Sequence, residues 1–385
     1  MVRHSSRIEL SLSALKKNVN FIRKKIGPQP IISSVVKANA FGHGIYEFVP
    51  MAEKCGINHF SVASSFEAYE VLNARTHDSR IMIMGILYAE DLPWVIENEI
   101  EFFVYDIERL VKACEVARKI GKKAIIHLEL ETGGNRTGLP DEDLTRAVRY
   151  MRKNQDCLTF EGVCTHFSGI ESLANQFRTV KQLDRFNRLC KVIKKTGYSP
   201  RLRHTACSAA ALAFPETVMD MVRVGTAQFG LWPSPDIYNL HLMQTNKLKD
   251  SPLQRVLSWK TDVMHIKDLK KDDFVGYGTS YQASRDIRIA VLPIGYSNGY
   301  PRSLSNQGNV LIRGKKAPVV GLINMNVFMV NISNIPDVEV GDEVMLIGTQ
   351  KKNTITIKSF SEFTNMINNE LVSRLPTAIP REAVR

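Results

Sequence analysis

A lysine, Lys37, stands where a largely apolar run, 31–36, gives way to Ala38-Asn39-Ala40-Phe41-Gly42-His43-Gly44. A β-branched run of that length reads as a buried strand, and the Asn and Gly residues after it as a turn. The ammonium is thereby placed at the carboxyl end of a strand, half out of a hydrophobic wall. A lysine there is an amine nucleophile, suited to forming a Schiff base with a carbonyl such as that of pyridoxal 5'-phosphate. A single lysine in a loop is far more often a plain surface residue, so its neighbours in space decide the matter.

Several more apolar runs close on polar groups. The run 123–130 leads through Glu129 and Glu131, across Thr132-Gly133-Gly134-Asn135, to Arg136. The run 158–165 ends in Thr165-His166, and 201–206 leads to Cys207-Ser208. The run 221–225 carries Arg223 and ends in Gly225-Thr226. A hydroxyl at Ser208 and backbone N–H groups at Gly225 and Thr226 suit a phosphate, since glycine permits close backbone approach and a helix start carries partial positive charge. Each alone has a plain structural role: Ser208 as a helix cap, a buried His or Arg as a satisfied core residue.

The elements that position these groups form a regular series. Apolar runs at 31–36, 59–63, 80–85, 101–105, 123–130, 158–165, 201–206 and 221–225 alternate with helical patterns, clearest at 66–74, 107–120, 141–152 and 172–195. Eight strands each followed by a helix predict an α/β fold with an N-terminal (β/α)8 barrel. Barrel enzymes keep their chemistry at the carboxyl ends of the strands, and bind phosphate after strands seven and eight. Five of the eight strand ends carry polar groups suited to one cofactor. A phosphate site facing a strand-one lysine describes a pyridoxal phosphate site.

Beyond the barrel, short alternating runs at 256–266, 287–293, 309–312, 317–322, 328–332 and 343–347 predict a C-terminal β-rich domain. The expected division is 1–245 for the barrel and 246–385 for the β-rich domain, with the first strand left free to join the latter. The stretch 233–252, with its prolines, reads as an irregular junction.

Composition narrows the class. Over 385 residues the chain is 44% apolar and 23% charged, as soluble globular proteins are. Its net charge of +12 is scattered, with no basic stripe interleaved with aromatics, so it points to anion attraction rather than nucleic acid. The six cysteines show no CxxC and no zinc spacing, which predicts buried thiols in a reducing cytoplasm and no metal site. Residues 1–12 are too polar for a signal peptide, and no apolar run approaches a membrane span.

Nearly the whole chain resembles the alanine racemase family, fold type III pyridoxal phosphate enzymes. The resemblance is carried by Ile8-Glu9-Leu10, Val36-Lys37-Ala38-Asn39-Ala40, Phe41-Gly42-His43-Gly44, 133–138, Thr165-His166-Phe167, 204–210 and Val222-Arg223-Val224-Gly225. It continues through Val275-Gly276-Tyr277-Gly278, Ile294-Gly295-Tyr296, Gly299-Tyr300-Pro301-Arg302 and 321–326. The resemblance implies that Lys37 holds the cofactor and serves as one of two catalytic bases. It implies that Tyr277, from the β-rich domain of a partner subunit, is the second base on the opposite face, as removal and return of a proton on two faces requires. His166 resembles a residue near that tyrosine, and Arg223 one bonded to the pyridine nitrogen. An arginine keeps its proton, so the ring nitrogen stays unprotonated, which disfavours decarboxylation and transamination. Arg136 resembles the residue that binds the cofactor's ring oxygen and orients the substrate carboxylate; Met325, from the partner, resembles the one whose N–H holds that carboxylate. The implied assembly is a homodimer with shared sites, and the implied reaction is L-alanine to D-alanine.

Several positions depart from the family pattern. Phe41 and Asn369 stand where tyrosines usually help hold the phosphate, the second also narrowing the entrance. Glu129 occupies a place often held by a carbamylated lysine and supplies a similar anion directly. Cys207 replaces an asparagine, and Asn298 and Asn326 replace aspartates. These departures leave open a broader racemase acting on serine or larger amino acids. A decarboxylase or aldolase on the same fold would also fit the barrel, and so would a catalytically weak cofactor-binding protein. Retention of both Lys37 and Tyr277 argues against the last.

Overall fold

The computed structural model describes residues 4–245, 251–364 and 366–385. The first element, β1 (Ser6–Ser11), precedes the apolar runs read from sequence and belongs to the β-rich sheet described below. The next eight strands form the barrel: β2 (Ile31–Val35), β3 (His59–Ser64), β4 (Arg80–Ile86), β5 (Glu101–Val104), β6 (Ala124–Glu129), β7 (Leu158–Cys164), β8 (Leu202–His204) and β9 (Met221–Val224). They lie in the order β8-β7-β6-β5-β4-β3-β2-β9, every pair parallel. The β8–β9 seam is joined by a parallel bridge between Cys207 and Arg223, with Arg223 N–H donating to Ala206 O at 2.9 Å. All eight strands stand where the apolar runs predicted them. Helices cover the outer face, so the strands are buried on both sides, and their sequence is continuous rather than alternating. Every residue of β5 and β9 is buried.

Local chemistry sets the covering helices. In Ile107–Ile120, Asp106 caps the start by accepting from Arg109 N–H, and Gly121 ends it at φ +76°, where a side chain would be strained. In Asp141–Lys153, Asp141, Glu142 and Asp143 open the first turn while Arg152 and Lys153 close the last, matching the helix dipole.

The structure departs from two expectations. A helix, Pro235–Thr245, occupies much of the stretch read as irregular: Pro235 opens it, where a missing N–H costs nothing. The expected boundary at 245/246 adjoins residues 246–250, which lie outside the described residues. Cys114 and Cys157, expected as separate thiols, form a disulfide with Cα atoms 5.5 Å apart. No local spacing could have signalled it, because the partners are 43 residues apart and meet only when the helix packs beside β7. Cys55, Cys164, Cys190 and Cys207 are free.

The β-rich part continues with β10 (Leu257–Asp262), β11 (His265–Leu269), β12 (Ile287–Leu292), β13 (Asn309–Ile312), β14 (Lys315–Val320), β15 (Phe328–Asn331), β16 (Glu343–Gln350), β17 (Asn353–Ile355) and β18 (Arg381–Val384). The sheet runs β11-β12-β15-β14-β13-β16-β10-β1-β18, with β17 paired to β16. The single run expected at 256–266 is in fact two strands, because the chain turns at Val263-Met264. Trp259, Tyr300, Phe328 and Phe360 fill its core, with Tyr300 stacked on Phe328 at 4.5 Å. By contacts, 14–38 and 49–254 form one unit, while 39–48 and 255–385 join the residues up to Ser13 in a second.

Candidate active site

β2 delivers Lys37 to the barrel mouth. Val36 N–H closes the strand onto Ser61 O at 2.9 Å, and Lys37, exposed, begins the next turn. That turn, Lys37–Phe41, is left-handed: Ala38, Asn39, Ala40 and Phe41 have φ of +53°, +52°, +52° and +51°. For L-residues this costs roughly 1–2 kcal/mol each, and runs of it are rare. Specific bonds hold the turn. Glu67 accepts from Ala38 N–H and from Ala63 N–H, both at 2.7 Å, so one carboxylate spans the ends of β2 and β3. Asn39 Oδ1 accepts from Ile45 N–H at 2.9 Å. His43 Nδ1–H donates to the carbonyls of Ala40 and Phe41, each at 3.0 Å. Arg381 donates to Gly42 O through Nε and Nη2, both at 3.1 Å. Gly42 itself, at φ +76°, is obligatory, because a Cβ there would meet Val372 O at 1.8 Å.

The carboxyl ends of the other strands gather cations around one imidazole. Burial, reinforced by the charges of Arg223, Arg136 and Lys37, pulls His166 down to about 3. His166 is therefore neutral at working pH. Arg223 is buried, and its guanidinium is nearly saturated. Nη1 donates to His204 Nδ1 and to His204 O at 3.0 Å; Nη2 donates to Thr165 O at 2.7 Å and Thr205 O at 3.4 Å. The one N–H without a partner among the described residues is Nε–H. Ser208 Oγ accepts from Gly225 N–H at 2.9 Å and Ala227 N–H at 3.4 Å, which leaves its own hydroxyl proton to donate. The Gly225 amide is thus engaged by Ser208 rather than free, whereas Thr226 N–H opens the 3-10 turn Thr226–Phe229.

Arg136 is exposed and lines a small polar pocket with Glu129, Thr132, Thr165 and His166. Glu131 shapes its loop by accepting from the amides of Gly133, Gly134 and Asn135. Burial pushes the Glu129 carboxyl up, against the opposing pull of Thr137, Arg223 and Arg136. Cys207 is the residue just before the short helix Ser208–Ala213.

In the β-rich unit, Tyr277 and Met325 line one surface depression with Asn326, and are 73% and 56% exposed. Met325 O accepts from Ser297 N–H at 3.0 Å and Ser297 Oγ at 2.7 Å. Asn326 Nδ2 donates to Ser297 Oγ at 2.8 Å, and Asn298 Oδ1 accepts from Gly295 N–H at 3.1 Å. The two asparagines thus act through hydrogen bonds where aspartates would add charge. Asn369 is half-buried, with Oδ1 lacking a partner among the described residues. Sequence reasoning missed Glu67, the clamp on Ala38. Its signal was a carboxylate three residues after Ser64, whose Oγ caps Glu67 N–H at 3.2 Å, at the end of a barrel strand.

Comparison with known proteins fits this geometry. The description "Alanine racemase, N-terminal domain" matches residues 10–233, and "Alanine racemase, C-terminal domain" matches 256–383. The chain belongs to the alanine racemase family. Alanine racemase of Methanococcus maripaludis is 34% identical over 382 residues, covering 99% of both chains. Among solved structures, alanine racemase from a D-cycloserine-producing Streptomyces lavendulae superposes with a TM-score of 0.89 at 28% identity, covering 100% of this chain and 98% of that one. A histidine racemase from Leuconostoc mesenteroides matches equally, TM-score 0.89 at 28% identity over 100% and 99% of the two chains. Family membership makes the chain an amino-acid racemase, an isomerase. No described helix is long and apolar enough to cross a membrane.

Within this racemase family member, the buried histidines link stability to pH. Burial, helped by the Arg381 charge, pulls His43 from the ordinary 6.5 to about 4, against its bonds to Phe41 and Ala40. Between those pH values the unfolded chain takes up a proton that the folded chain refuses. Stability is therefore full above pH 6.5 and falls as pH drops towards 4, by about 3 kcal/mol for this one group. His204, fully buried beside Arg223, adds a loss of the same sign. Urea midpoints at pH 7.5, 6 and 5 should fall steadily, and His43→Gln should flatten the slope; an unchanged slope would show that His43 is protonated when folded.

Proposed function

We propose that the chain racemises a small amino acid, L-alanine to D-alanine first, with pyridoxal 5'-phosphate in the barrel mouth. The residues present fit that group. The observation that carries the reading is Arg223, whose guanidinium has one uncommitted donor, Nε–H, for an unprotonated ring nitrogen. Ser208 and Thr226 would hold the phosphate, Lys37 would anchor the opposite end, and Arg136 would orient the substrate carboxylate. When bound, the cofactor delocalises the electron pair left after loss of the α-proton. The protein supplies the proton transfers. Lys37 takes or returns the proton at Nζ on one face, and the partner's Tyr277 does so at its phenol oxygen on the other. Neutral His166 accepts or donates a hydrogen bond without adding another cation beside them. The partner's Met325 N–H would hold the substrate carboxylate.

A broader substrate range is supported by Asn369 and Phe41, which lack the phenols of the family pattern at the entrance, and by the likeness to a protein that racemises histidine. Incubating alanine, serine, histidine and lysine in deuterium oxide decides among the readings. Exchange with inversion identifies a racemase and ranks its substrates. Loss of the carboxylate identifies a decarboxylase, and no exchange leaves a cofactor-binding protein.

The exposed Tyr277–Met325 depression supports a homodimer in which each chain completes the other's site. Mixing inactive Lys37→Ala chains with inactive Tyr277→Phe chains should restore up to about a quarter of wild-type activity per chain, because random pairing makes half the dimers mixed and each mixed dimer holds one intact site. No recovery after subunit exchange, checked by mass spectrometry of the mixed dimer, would mean that both groups act within one chain.

A further inference from the structure

Behind Arg223 the barrel interior carries buried polar side chains to which the proposed reaction gives no role. Barrel interiors are ordinarily filled by branched apolar side chains. Here Arg223 Nη1 meets His204 Nδ1, His204 Nε2 lies 2.9 Å from His127 Nδ1, and His127 Nε2 lies 2.6 Å from Glu101 Oε2. His204 and His127 are fully buried and Glu101 is 1% exposed. Glu101 is the first residue of β5, so the chain runs from the mouth to the amino ends of the strands. There Glu101 Oε1 pairs with Arg80, whose Nη2 donates to Glu161 at 2.6 Å, and His59 Nε2 lies 3.3 Å from Glu101 Oε2.

This chain has one polarity. An arginine N–H can only donate, so His204 Nδ1 must be bare and Nε2 must carry the proton. His204 then donates to His127 Nδ1, and His127 Nε2–H donates to a carboxylate that can only accept. Reversing the chain would oppose two donors at Arg223 and two acceptors at Glu101, in a buried place, at a cost of about 1–3 kcal/mol per mismatch. Both ends therefore select the same tautomers. Burial beside Arg223 also holds His204 neutral, in agreement.

We propose that Glu101 is a remote positioning residue of the site: through His127 and His204 it fixes the tautomer that accepts Arg223 Nη1, and so keeps Nε–H presented to the ring nitrogen of the cofactor. This rests on the role of Arg223 given above. Neither end of the chain has a proton to pass on, so it orients without conducting.

Glu101→Gln keeps the shape and frustrates the chain: an amide NH2 facing the Arg80 cation would oppose a charged donor, so it turns towards His127 instead and demands a bare Nε2 there. The test combines ring-¹⁵N spectra of His127 and His204, in the cofactor-free and loaded protein, with kinetics and the ¹⁵N shift of ring-labelled pyridoxal phosphate. In the wild type both histidines should show a bare Nδ1 and a protonated Nε2 at pH 7, with or without cofactor. In Glu101→Gln at least one should lose that signature, the cofactor ring shift should move, and kcat should fall about tenfold with little change in KM, the size typical of groups that orient a ligand-binding residue. Glu101→Asp, which keeps the charge but withdraws it, should lie between. A protonated Nδ1 on either wild-type histidine overturns the proposal. So does a Glu101→Gln protein whose ring shift and kcat match the wild type. If neither variant folds, Glu101 is a stability residue and the proposal fails. If the wild type binds no pyridoxal phosphate, the functional reading fails instead, and the cofactor-free spectra still report the chain.

Discussion

Replacing Lys37 by alanine should remove racemisation by at least about 10⁴-fold, because it deletes the proposed nucleophile and one proposed base in one step. The wild type loaded with pyridoxal phosphate should show a visible band that borohydride bleaches, with the label recovered on Lys37. In Lys37→Ala the band and the label should both be absent. Lys37 is exposed and begins a turn held by its neighbours' backbone bonds, so the variant should melt close to the wild type. A variant that keeps the band and the label elsewhere would remove Lys37 from the site.

Tyr277→Phe should separate the two faces. It deletes one hydroxyl from a side chain 73% exposed in the single chain, so folding should be unaffected and the visible band retained. Racemisation from the L enantiomer should fall about 10²–10⁴-fold, the usual contribution of a placed acid or base. With D-alanine in deuterium oxide, exchange at the α-carbon should persist without inversion, since Lys37 still serves its own face. Rates near wild type in both directions would show that Tyr277 is not the second base.

The barrel was legible because its strands are buried on both faces, so hydrophobic runs mark them directly, and because barrels place chemistry at strand ends. That reasoning picks out Lys37, Arg136, His166, Ser208 and Arg223, which the structure places at or beyond the carboxyl ends of barrel strands. What escaped lies where that signal is silent. β1, the first strand left free to join the β-rich domain, does join it; its half-exposed alternation as Ser-Arg-Ile-Glu-Leu-Ser could not name its partners, β10 and β18. Glu101, His59 and Ser33 point into the barrel from strands whose neighbours are apolar, and only closure brings them together. Nothing in Ala38-Asn39-Ala40-Phe41 announces a left-handed turn; Ala ordinarily favours the opposite hand, and tertiary bonds override it.

That turn has a consequence for how the protein comes together. Its four residues carry roughly 4–8 kcal/mol of unfavourable backbone conformation. Glu67 clamps its residue Ala38, whereas His43 and Arg381 hold the residues that follow. Glu67 is 29 residues from the amide it holds and His43 only 3 from Ala40, but Arg381 is 339 from Gly42. The turn that begins at Lys37 is therefore held by local bonds together with one that spans 339 residues, and a chain cut short of Arg381 would lack the bond that fastens Gly42.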